Sequence, residues 1–312
     1  MIYIVSCQTI QNGGGIYAYE WAGKGTLEQR NFFPCDRPMY AVKCETGLCV
    51  LLRQPFENTE YSGYFLIDEK LQTATEVKST QGKCACHVCV DGDDMYAVNY
   101  LSGNIVKNGE IIAQRQGKSE HPTRQSEPHT HFVDKTPDGN FAVCDLGTDT
   151  LAFYDKNLQL ICESKVPSGY GIRHLVFSKN GTYIYAVNEL VPSVSVFAYA
   201  NGKAKLIDTV AIECRNEKAN GAAVRLSADG KLLYVSLREE NVICVYAVNG
   251  DRLLLLQTVD CGGDSPRDFN LFGEYLVCSN EKSDNVTVLR LKNGQITERI
   301  KKFSLPAPLC VL

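Results

Sequence analysis

Histidine, arginine and glutamate residues stand at the edges of short apolar runs along this chain, where together they could bind an anion and move a proton. The residues of this kind that precede a run are His87, His129, His131, Arg173, His174 and Arg267. Those that follow a run are Glu189 and Arg238, with Asn99 in the same position of its own run. An imidazole or a carboxylate can accept a proton from water, and an arginine fork can hold phosphate or carboxylate and stabilise an oxyanion. These residue types suit the hydrolysis of an ester of an anionic molecule.

The apolar runs beside these residues belong to a repeat. A turn of the Asp-Gly or Asn-Gly type, followed by an apolar run with a Tyr or Phe, recurs along the chain, and weaker copies keep only the glycine. The turn glycines are Gly47, Gly92, Gly139, Gly181, Gly230 and Gly273. They are 45, 47, 42, 49 and 43 residues apart, which is typical of the four-stranded blades of a propeller, at about 45 residues each.

Each repeat predicts four antiparallel strands. Every glycine stands between two β-rich runs, as in a hairpin, and two further runs follow, such as Ser193–Tyr199 and Arg252–Gln257. Six glycines account for six blades, and the runs Met1–Cys7 and Ala307–Leu312 supply a seventh. The predicted fold class is therefore all-β, a seven-bladed β-propeller with four antiparallel strands per blade. It would form a single domain over residues 1–312, with the ring closed by pairing of the N- and C-terminal strands.

Hairpin geometry predicts where the polar residues meet. The start of the first strand and the end of the second lie at the same end of a hairpin, opposite its turn. Because inner strands of a propeller surround a central channel, these positions converge at one mouth of that channel. The predicted catalytic residues there are Glu189, His129, His131 and Arg173. The predicted substrate-binding residues are Arg238, Arg267, His174, His87 and Asn99.

Structural roles compete with these functional ones. Polar residues at blade corners often satisfy backbone groups, and Asn99, Asp145 and Asn280 each end a strand at a tight turn where such side chains bond the backbone. A pair formed by Arg173 and Glu189 could be a salt bridge and no more. Water is the expected nucleophile, since the chain has no Gly-x-Ser-x-Gly elbow and no serine near these residues with an evident base partner.

Net charge and cysteine content limit the classes of partner and the cellular compartment that the sequence predicts. The chain has 32 Lys and Arg against 36 Asp and Glu, a net charge of -4, so neither nucleic acid nor an anionic membrane is expected as a partner. No run approaches the roughly 18 apolar residues of a membrane helix. The 14 cysteines are spread along the chain, and no secretory leader is recognised. Both features predict a reducing, cytoplasmic compartment.

A cysteine cluster raises the question of a metal. Cys84, Cys86 and Cys89 lie beside His87, and thiolate and imidazole are the usual ligands of zinc. Structural zinc sites normally use two separated ligand pairs, and no second cluster occurs. Alternation along a strand would also send Cys86 and His87 to opposite faces. Packing is the favoured role of the cluster, and no metal or cofactor is predicted.

Five segments together resemble those of the seven-bladed propeller lactonases, the family that includes propeller-type 6-phosphogluconolactonase and fungal carboxymuconate cyclase. The segments are Gln125–Phe132, Asp145–Asp149, Gly171–Phe177 with Asn188–Leu190, Ser236–Arg238 and Ser265–Phe269. The resemblance implies an active-site cleft formed by His129 or His131, Arg173, Glu189, Arg238 and Arg267. Two positions depart from the family pattern, with Ile172 in place of proline and Leu237 in place of asparagine. Both stand beside an arginine of the cleft, so they bear on substrate fit.

The leading hypothesis is a lactone hydrolase resembling 6-phosphogluconolactonase. Glu189 or a histidine of the His129/His131 pair would activate water, without a metal, and arginines would hold a small anionic lactone or carboxylate substrate. One alternative is a lactonising cyclase that acts on a carboxymuconate-like dicarboxylate through the same arginines. Another is a propeller without catalytic activity that binds a ligand or a protein on this face. The sequence leaves the oligomeric state open.

Overall fold

Seven sheets of four antiparallel strands build the fold in the computed structural model, which describes all residues 1–312. Blades 1 to 6 take their strands in chain order from the channel outwards. Blade 1 contains β4 (Pro38–Cys44), β5 (Gly47–Leu52), β6 (Tyr61–Ile67) and β7 (Lys78–Lys83). Blade 2 contains β8 (Ala85–Asp91), β9 (Asp94–Asn99), β10 (Asn104–Lys107) and β11 (Glu110–Gln114). Blade 3 contains β12 (Thr130–Lys135), β13 (Phe141–Asp145), β14 (Thr150–Tyr154) and β15 (Leu160–Lys165).

The remaining blades repeat this order. Blade 4 contains β16 (Ile172–Phe177), β17 (Tyr183–Asn188), β18 (Ser193–Ala200) and β19 (Lys203–Ala211). Blade 5 contains β20 (Asn220–Leu226), β21 (Leu232–Arg238), β22 (Val242–Asn249) and β23 (Arg252–Asp260). Blade 6 contains β24 (Pro266–Phe272), β25 (Tyr275–Asn280), β26 (Asn285–Lys292) and β27 (Gln295–Ser304). Two short 3₁₀ helices, Ile10–Asn12 and Leu146–Thr148, lie in connections, and no helix is long and apolar enough to cross a membrane.

Blade 7 joins the two ends of the chain and closes the ring. It contains β28 (Pro308–Val311), β1 (Ile2–Ser6), β2 (Gly15–Trp21) and β3 (Leu27–Pro34). The C-terminal strand β28 is its inner strand and pairs antiparallel with β1, which places Ile4 opposite Val311. Such pairing leaves no open edge at the junction of the termini. The predicted seven-bladed ring and its mode of closure are confirmed.

Apolar side chains fill the spaces between neighbouring blades. One cluster joins blades 7 and 1 through residues such as Val5 and Val50, and another joins blades 3 and 4 around Phe153 and Phe197. The inner and middle strands are covered on both faces, so they appear in the sequence as continuous apolar runs. Burying each large side chain stabilises the fold by about 1.5–3 kcal/mol. The inner strands are thereby held as a rigid wall around the channel.

A β-bulge near the start of every inner strand shapes the channel. Each bulge adds a residue that has no partner on the second strand of its blade. The extra residues are Met39, Cys86, His131, Arg173, the Ala222–Ala223 pair, Arg267 and Leu309. A bulge re-aims the side chains beside it, and six of these residues line one small cavity on the channel axis. The bulges therefore create a layer of side chains that point inwards.

Candidate active site

A carboxylate surrounded by arginines marks one mouth of the channel. The Glu189 side chain is only 4% exposed and lies between Arg124 (2.5 Å from Nη2), Arg173 (2.9 Å from Nε) and Arg238 (3.0 Å from Nη2). Burial alone would raise the pKa of Glu189, but Arg238 and Arg173 hold it well below the usual range of a carboxyl. Such a carboxylate is a weak base, so the geometry favours Glu189 as the organiser of the arginines over Glu189 as the proton acceptor.

Arg173 is the most deeply placed of these arginines. Its Nη1 donates to the carbonyl oxygen of Ala222, across the boundary to blade 5. Burial, and then repulsion from Arg238, lowers the pKa of Arg173 to about 9, so the guanidinium is still charged at neutral pH. Arg238 keeps its buried Nε without a partner among the protein atoms. That N–H is a donor available to a ligand at the mouth.

A fourth arginine gives the mouth an excess of positive charge. Arg267 pairs with Glu281 at 3.3 Å and is only partly covered. It also lies near Glu189, and their charges interact. We call Arg124, Arg173, Arg238 and Arg267 the arginine cluster. These four guanidinium groups face two carboxylates, so the cluster has two positive charges to spare for an anion.

His129 is held in one orientation at the edge of the same mouth. Its backbone N–H donates to Oδ1 of buried Asp145 (2.8 Å), and its carbonyl oxygen accepts from the N–H of Leu146 (3.0 Å). Its ring stacks on Tyr100, with centroids 4.4 Å apart and planes inclined by 5°. Ring atom Nδ1 lies 2.9 Å from the Tyr100 carbonyl oxygen. Because a carbonyl only accepts, Nδ1 carries the proton and Nε2 is left as an acceptor.

His131 and His174 lie deeper in the channel and are buried. Their ring centroids are 5.1 Å apart, and neither Nδ1 of His131 nor either ring nitrogen of His174 has a partner among the protein atoms. Burial, reinforced by Arg173, holds the pKa of both imidazoles well below 6.5. Both rings are therefore neutral at physiological pH. Any role of His174 toward substrate has to act through His131 or through a small molecule that reaches it.

His87, which the sequence predicts to bind substrate at this mouth, lies one layer deeper in the channel. Its ring packs between Tyr40 and Phe132, at 4.4 Å from each centroid, and its Nδ1 lies 3.5 Å from the backbone N–H of Val133. Burial lowers its pKa to about 3. In this strand the bulge gives the channel-facing position to Cys86, so His87 falls into the layer below.

The polar atoms of Asn99, which the sequence predicts to bind substrate, are used in bonds within blade 2 and to the last strand of blade 1. Its amide nitrogen donates to the carbonyl oxygen of Thr80 (3.0 Å) and to Oδ1 of Asn104 (2.7 Å), and its Oδ1 accepts from the Thr80 hydroxyl (2.8 Å). Asn188 and Asn280 end the second strands of blades 4 and 6 with comparable bonds to the third strand. The asparagine that ends the strand is structural, and the residue after it can face the mouth, as Glu189 does.

Replacing Asn99 with alanine should lower the free energy of unfolding by about 2–4 kcal/mol, since three buried hydrogen bonds are lost. The Michaelis constant for a lactone, the substrate class expected from the sequence, should not change. Urea denaturation followed by circular dichroism measures the first quantity, and steady-state kinetics on a lactone measures the second. Asn280→Ala is the matched variant in blade 6 and should behave in the same way. A raised KM with unchanged stability would indicate that Asn99 binds substrate.

Sequence reasoning missed Arg124 and Tyr100. Arg124 lies in the segment 115–129, the longest connection between two blades, and donates to the Tyr100 hydroxyl (3.0 Å) as well as to Glu189. The unusual length of this connection was the available signal, because long loops frequently carry function. Tyr100 follows the strand that Asn99 ends, which is the position Glu189 holds in blade 4.

The three clustered cysteines do not converge. Cys86 and Cys89 pack between blades 2 and 3, whereas Cys84 packs against the boundary of blades 1 and 2. Burial raises the pKa of each thiol. No group of three or more His, Cys, Asp or Glu side chains in the molecule is placed to hold a metal ion.

The opposite end of the channel opens into a larger and mostly apolar cavity of about 620 Å³. Its walls come from the far ends of the inner strands, with Val42, Val88 and Leu226 among them. The aromatic layer of Tyr40, His87, Phe132 and His174 separates it from the arginine cluster. The charged groups of the proposed site therefore all lie at the other mouth.

Comparison with known proteins agrees with this architecture. The family described as "Lactonase, 7-bladed beta-propeller" matches residues 2–312. A crystal structure of a Lactobacillus plantarum protein is 27% identical, with a TM-score of 0.89 over 99% of this chain and 98% of that one. A Bacteroides fragilis protein provisionally assigned as a 6-phosphogluconolactonase is 24% identical, with a TM-score of 0.88 over 100% and 97%. A periplasmic gluconolactonase of Pseudomonas aeruginosa is 22% identical, with a TM-score of 0.87 over 100% and 99%. The last two likenesses show the fold alone.

Proposed function

Since the chain belongs to the seven-bladed β-propeller lactonase family, we propose that it opens a phosphorylated sugar lactone, of the 6-phosphogluconolactone kind, by attack of water. The observation that carries the proposal is the arginine cluster, whose two uncompensated positive charges match a phosphate group of nearly two negative charges at neutral pH. The description of the family as lactonases supports a lactone as the substrate class.

The proposed reaction assigns the proton transfers to His129. Nε2 of His129 accepts a proton from the attacking water as the water oxygen bonds to the lactone carbonyl carbon. The arginine cluster stabilises the resulting oxyanion. The bond between that carbon and the ring oxygen then breaks, and the imidazolium returns its proton to the ring oxygen. The product is a hydroxy acid, which releases one proton to solvent.

The direct test follows the loss of freshly prepared 6-phosphogluconolactone with purified protein, beside the spontaneous reaction. Accelerated loss supports the proposal. Loss at the spontaneous rate overturns it. Formation of a lactone from an unsaturated dicarboxylate would instead favour the cyclase, which would use the same two positive charges for carboxylates.

Phosphate recognition gives a second measurable consequence. Replacing Arg267 with methionine should raise KM for the phosphorylated lactone by about 10–100-fold, the effect of losing a charged hydrogen bond of about 1.5–3 kcal/mol. Glucono-lactone without phosphate should be hydrolysed by parent and variant with similar KM. The matched control is Arg290→Met, which removes an exposed ion pair with Glu298 on the outer part of the same blade. Equal effects of Arg267→Met on both lactones would contradict a phosphate-binding role.

We also propose that the protein is located in the cytoplasm. All fourteen cysteines are free thiols in the structure, including Cys7 and Cys44, which are only partly buried. Free thiols in such number suit a reducing environment. Fractionation of cells that express the native chain tests this assignment, and recovery from an exported fraction would contradict it.

A further inference from the structure

A small cavity lies on the channel axis, beside the deepest guanidinium groups of the arginine cluster. Its volume is about 20 Å³, and its polar lining is His131, His174, Arg173, Arg267, Asp268 and Tyr40. Three buried ring nitrogens here lack a protein partner, namely Nδ1 of His131 and both Nδ1 and Nε2 of His174. An unpartnered polar atom in the interior costs about 1–3 kcal/mol. Three such atoms beside one cavity point to a bound ligand.

The size and charge of the cavity select that ligand. A buried water needs roughly 10–15 Å³ of such space and between two and four polar partners, and both conditions are met. A cation is disfavoured because the guanidinium groups of Arg173 and Arg267 line the wall, and the Asp268 carboxylate there is already paired with Arg225. One water molecule fits this space and can both donate to and accept from the unpartnered imidazole nitrogens.

We propose that one water binds between His131 and His174, and that this water fixes the proton of His131 on Nε2. The water accepts from an N–H of His174 and donates to Nδ1 of His131. Nδ1 is the buried nitrogen of His131 that lacks a partner, so it is the nitrogen that the water reaches, and the nearby charge of Glu189 favours the N–H on the other nitrogen. A carboxylate attracts the N–H end of a neighbouring imidazole, and Nε2 is the ring nitrogen that remains for the mouth.

This arrangement gives the two histidines of the His129-Thr-His131 segment opposite tautomers. His129 carries its proton on Nδ1, bound to the Tyr100 carbonyl, and offers a lone pair. His131 would carry its proton on Nε2 and offer a donor. The neutral His131 ring then donates a hydrogen bond to the lactone carbonyl oxygen, a role that rests on the proposed function. His174 is then a positioning residue that acts through the water.

The test reads the tautomers directly in the protein without substrate. The chain has 5 histidines, so ¹⁵N-labelled imidazoles give few signals in a long-range ¹H–¹⁵N spectrum, and single His→Gln variants assign them. At pH 7 we expect His131 to be neutral with its proton on Nε2, and His129 to have its proton on Nδ1. A His131 ring that is cationic, or that is protonated on Nδ1, overturns the inference.

A pair of variants tests the role of the water. His174→Phe keeps a ring against His87 and Phe132 but removes both nitrogens, so His131 should populate both tautomers and kcat should fall about tenfold with little change in KM. His174→Gln retains a donor and an acceptor and should restore the His131 signal. An unchanged His131 tautomer in His174→Phe contradicts the positioning role. If the tautomers are as expected but no lactone is hydrolysed, the proposed function fails and the water site stands.

Discussion

Replacing His129 with glutamine should lower kcat for lactone hydrolysis by about 10²–10⁴-fold, the usual contribution of a positioned general base. The reason is geometric. The Asp145 carboxylate, the Leu146 N–H and the Tyr100 carbonyl fix the backbone and the ring of His129, which leaves Nε2 as an acceptor in a single direction. Because the arginine cluster is untouched, KM should change little. Initial rates on fresh lactone, corrected for spontaneous hydrolysis, measure both quantities.

Chemical rescue separates lost chemistry from lost structure at this position. His129→Ala leaves a gap beside Tyr100, so added imidazole should restore part of kcat in a concentration-dependent way. The matched control is His121→Asn in the same connection, where a side-chain acceptor still caps the backbone N–H groups of Thr123 and Arg124. That control should retain the parent kcat. If the kcat of His129→Gln lies within a few-fold of the parent value, the general base is a different group.

The fold was predictable because each blade is specified locally. A turn glycine such as Gly230, at φ = 76°, occupies the left-handed region that other residues avoid, and the β-rich runs beside it are long enough to pair. One repeat therefore defines a hairpin without information from the rest of the chain. Counting the repeats then gives the seven blades, and the two half-blades at the ends require closure.

The candidate site was predictable only in part, because the hairpin argument places residues at an end of a strand but not at a depth. Arg173 and His131 occupy bulges, which turn both toward the channel. His87 and His174 each follow a bulge residue and lie one layer deeper. A bulge is a register shift between two strands, and no residue type marks its position in the sequence.

Loop residues are harder still to place from sequence. Arg124 reaches Glu189 from a connection that has no strand register to fix its position. Its place depends on contacts made after the chain has folded, such as the bond from its guanidinium to the Tyr100 hydroxyl. A long polar connection predicts that a functional residue lies there, and the structure shows that Arg124 is the side chain that reaches Glu189.

Replacing Glu189 with glutamine should lower the free energy of unfolding by about 3–5 kcal/mol, because it removes the carboxylate that three buried or half-buried arginines share. The remaining guanidinium groups then repel one another and lose their common acceptor. Hydrolysis should fall together with stability, since the arrangement of the anion site depends on the same carboxylate. Urea denaturation at pH 7, analysed with a common slope, measures the difference in stability.

The pH dependence of this difference identifies the charge as its cause. The pKa of Glu189 is held below its value in the unfolded chain, which is about 4.3. Its ionic contribution is therefore complete above that pH and is lost as the pH falls through the pKa of the folded state. The difference in free energy of unfolding between the parent and Glu189→Gln should decrease as the pH is lowered, because a protonated glutamate resembles glutamine. Glu281→Gln is the control, since that carboxylate is 31% exposed and pairs only with Arg267, so it should cost no more than about 1 kcal/mol. If this difference in free energy stays constant down to low pH, packing and not charge accounts for the stabilisation by Glu189.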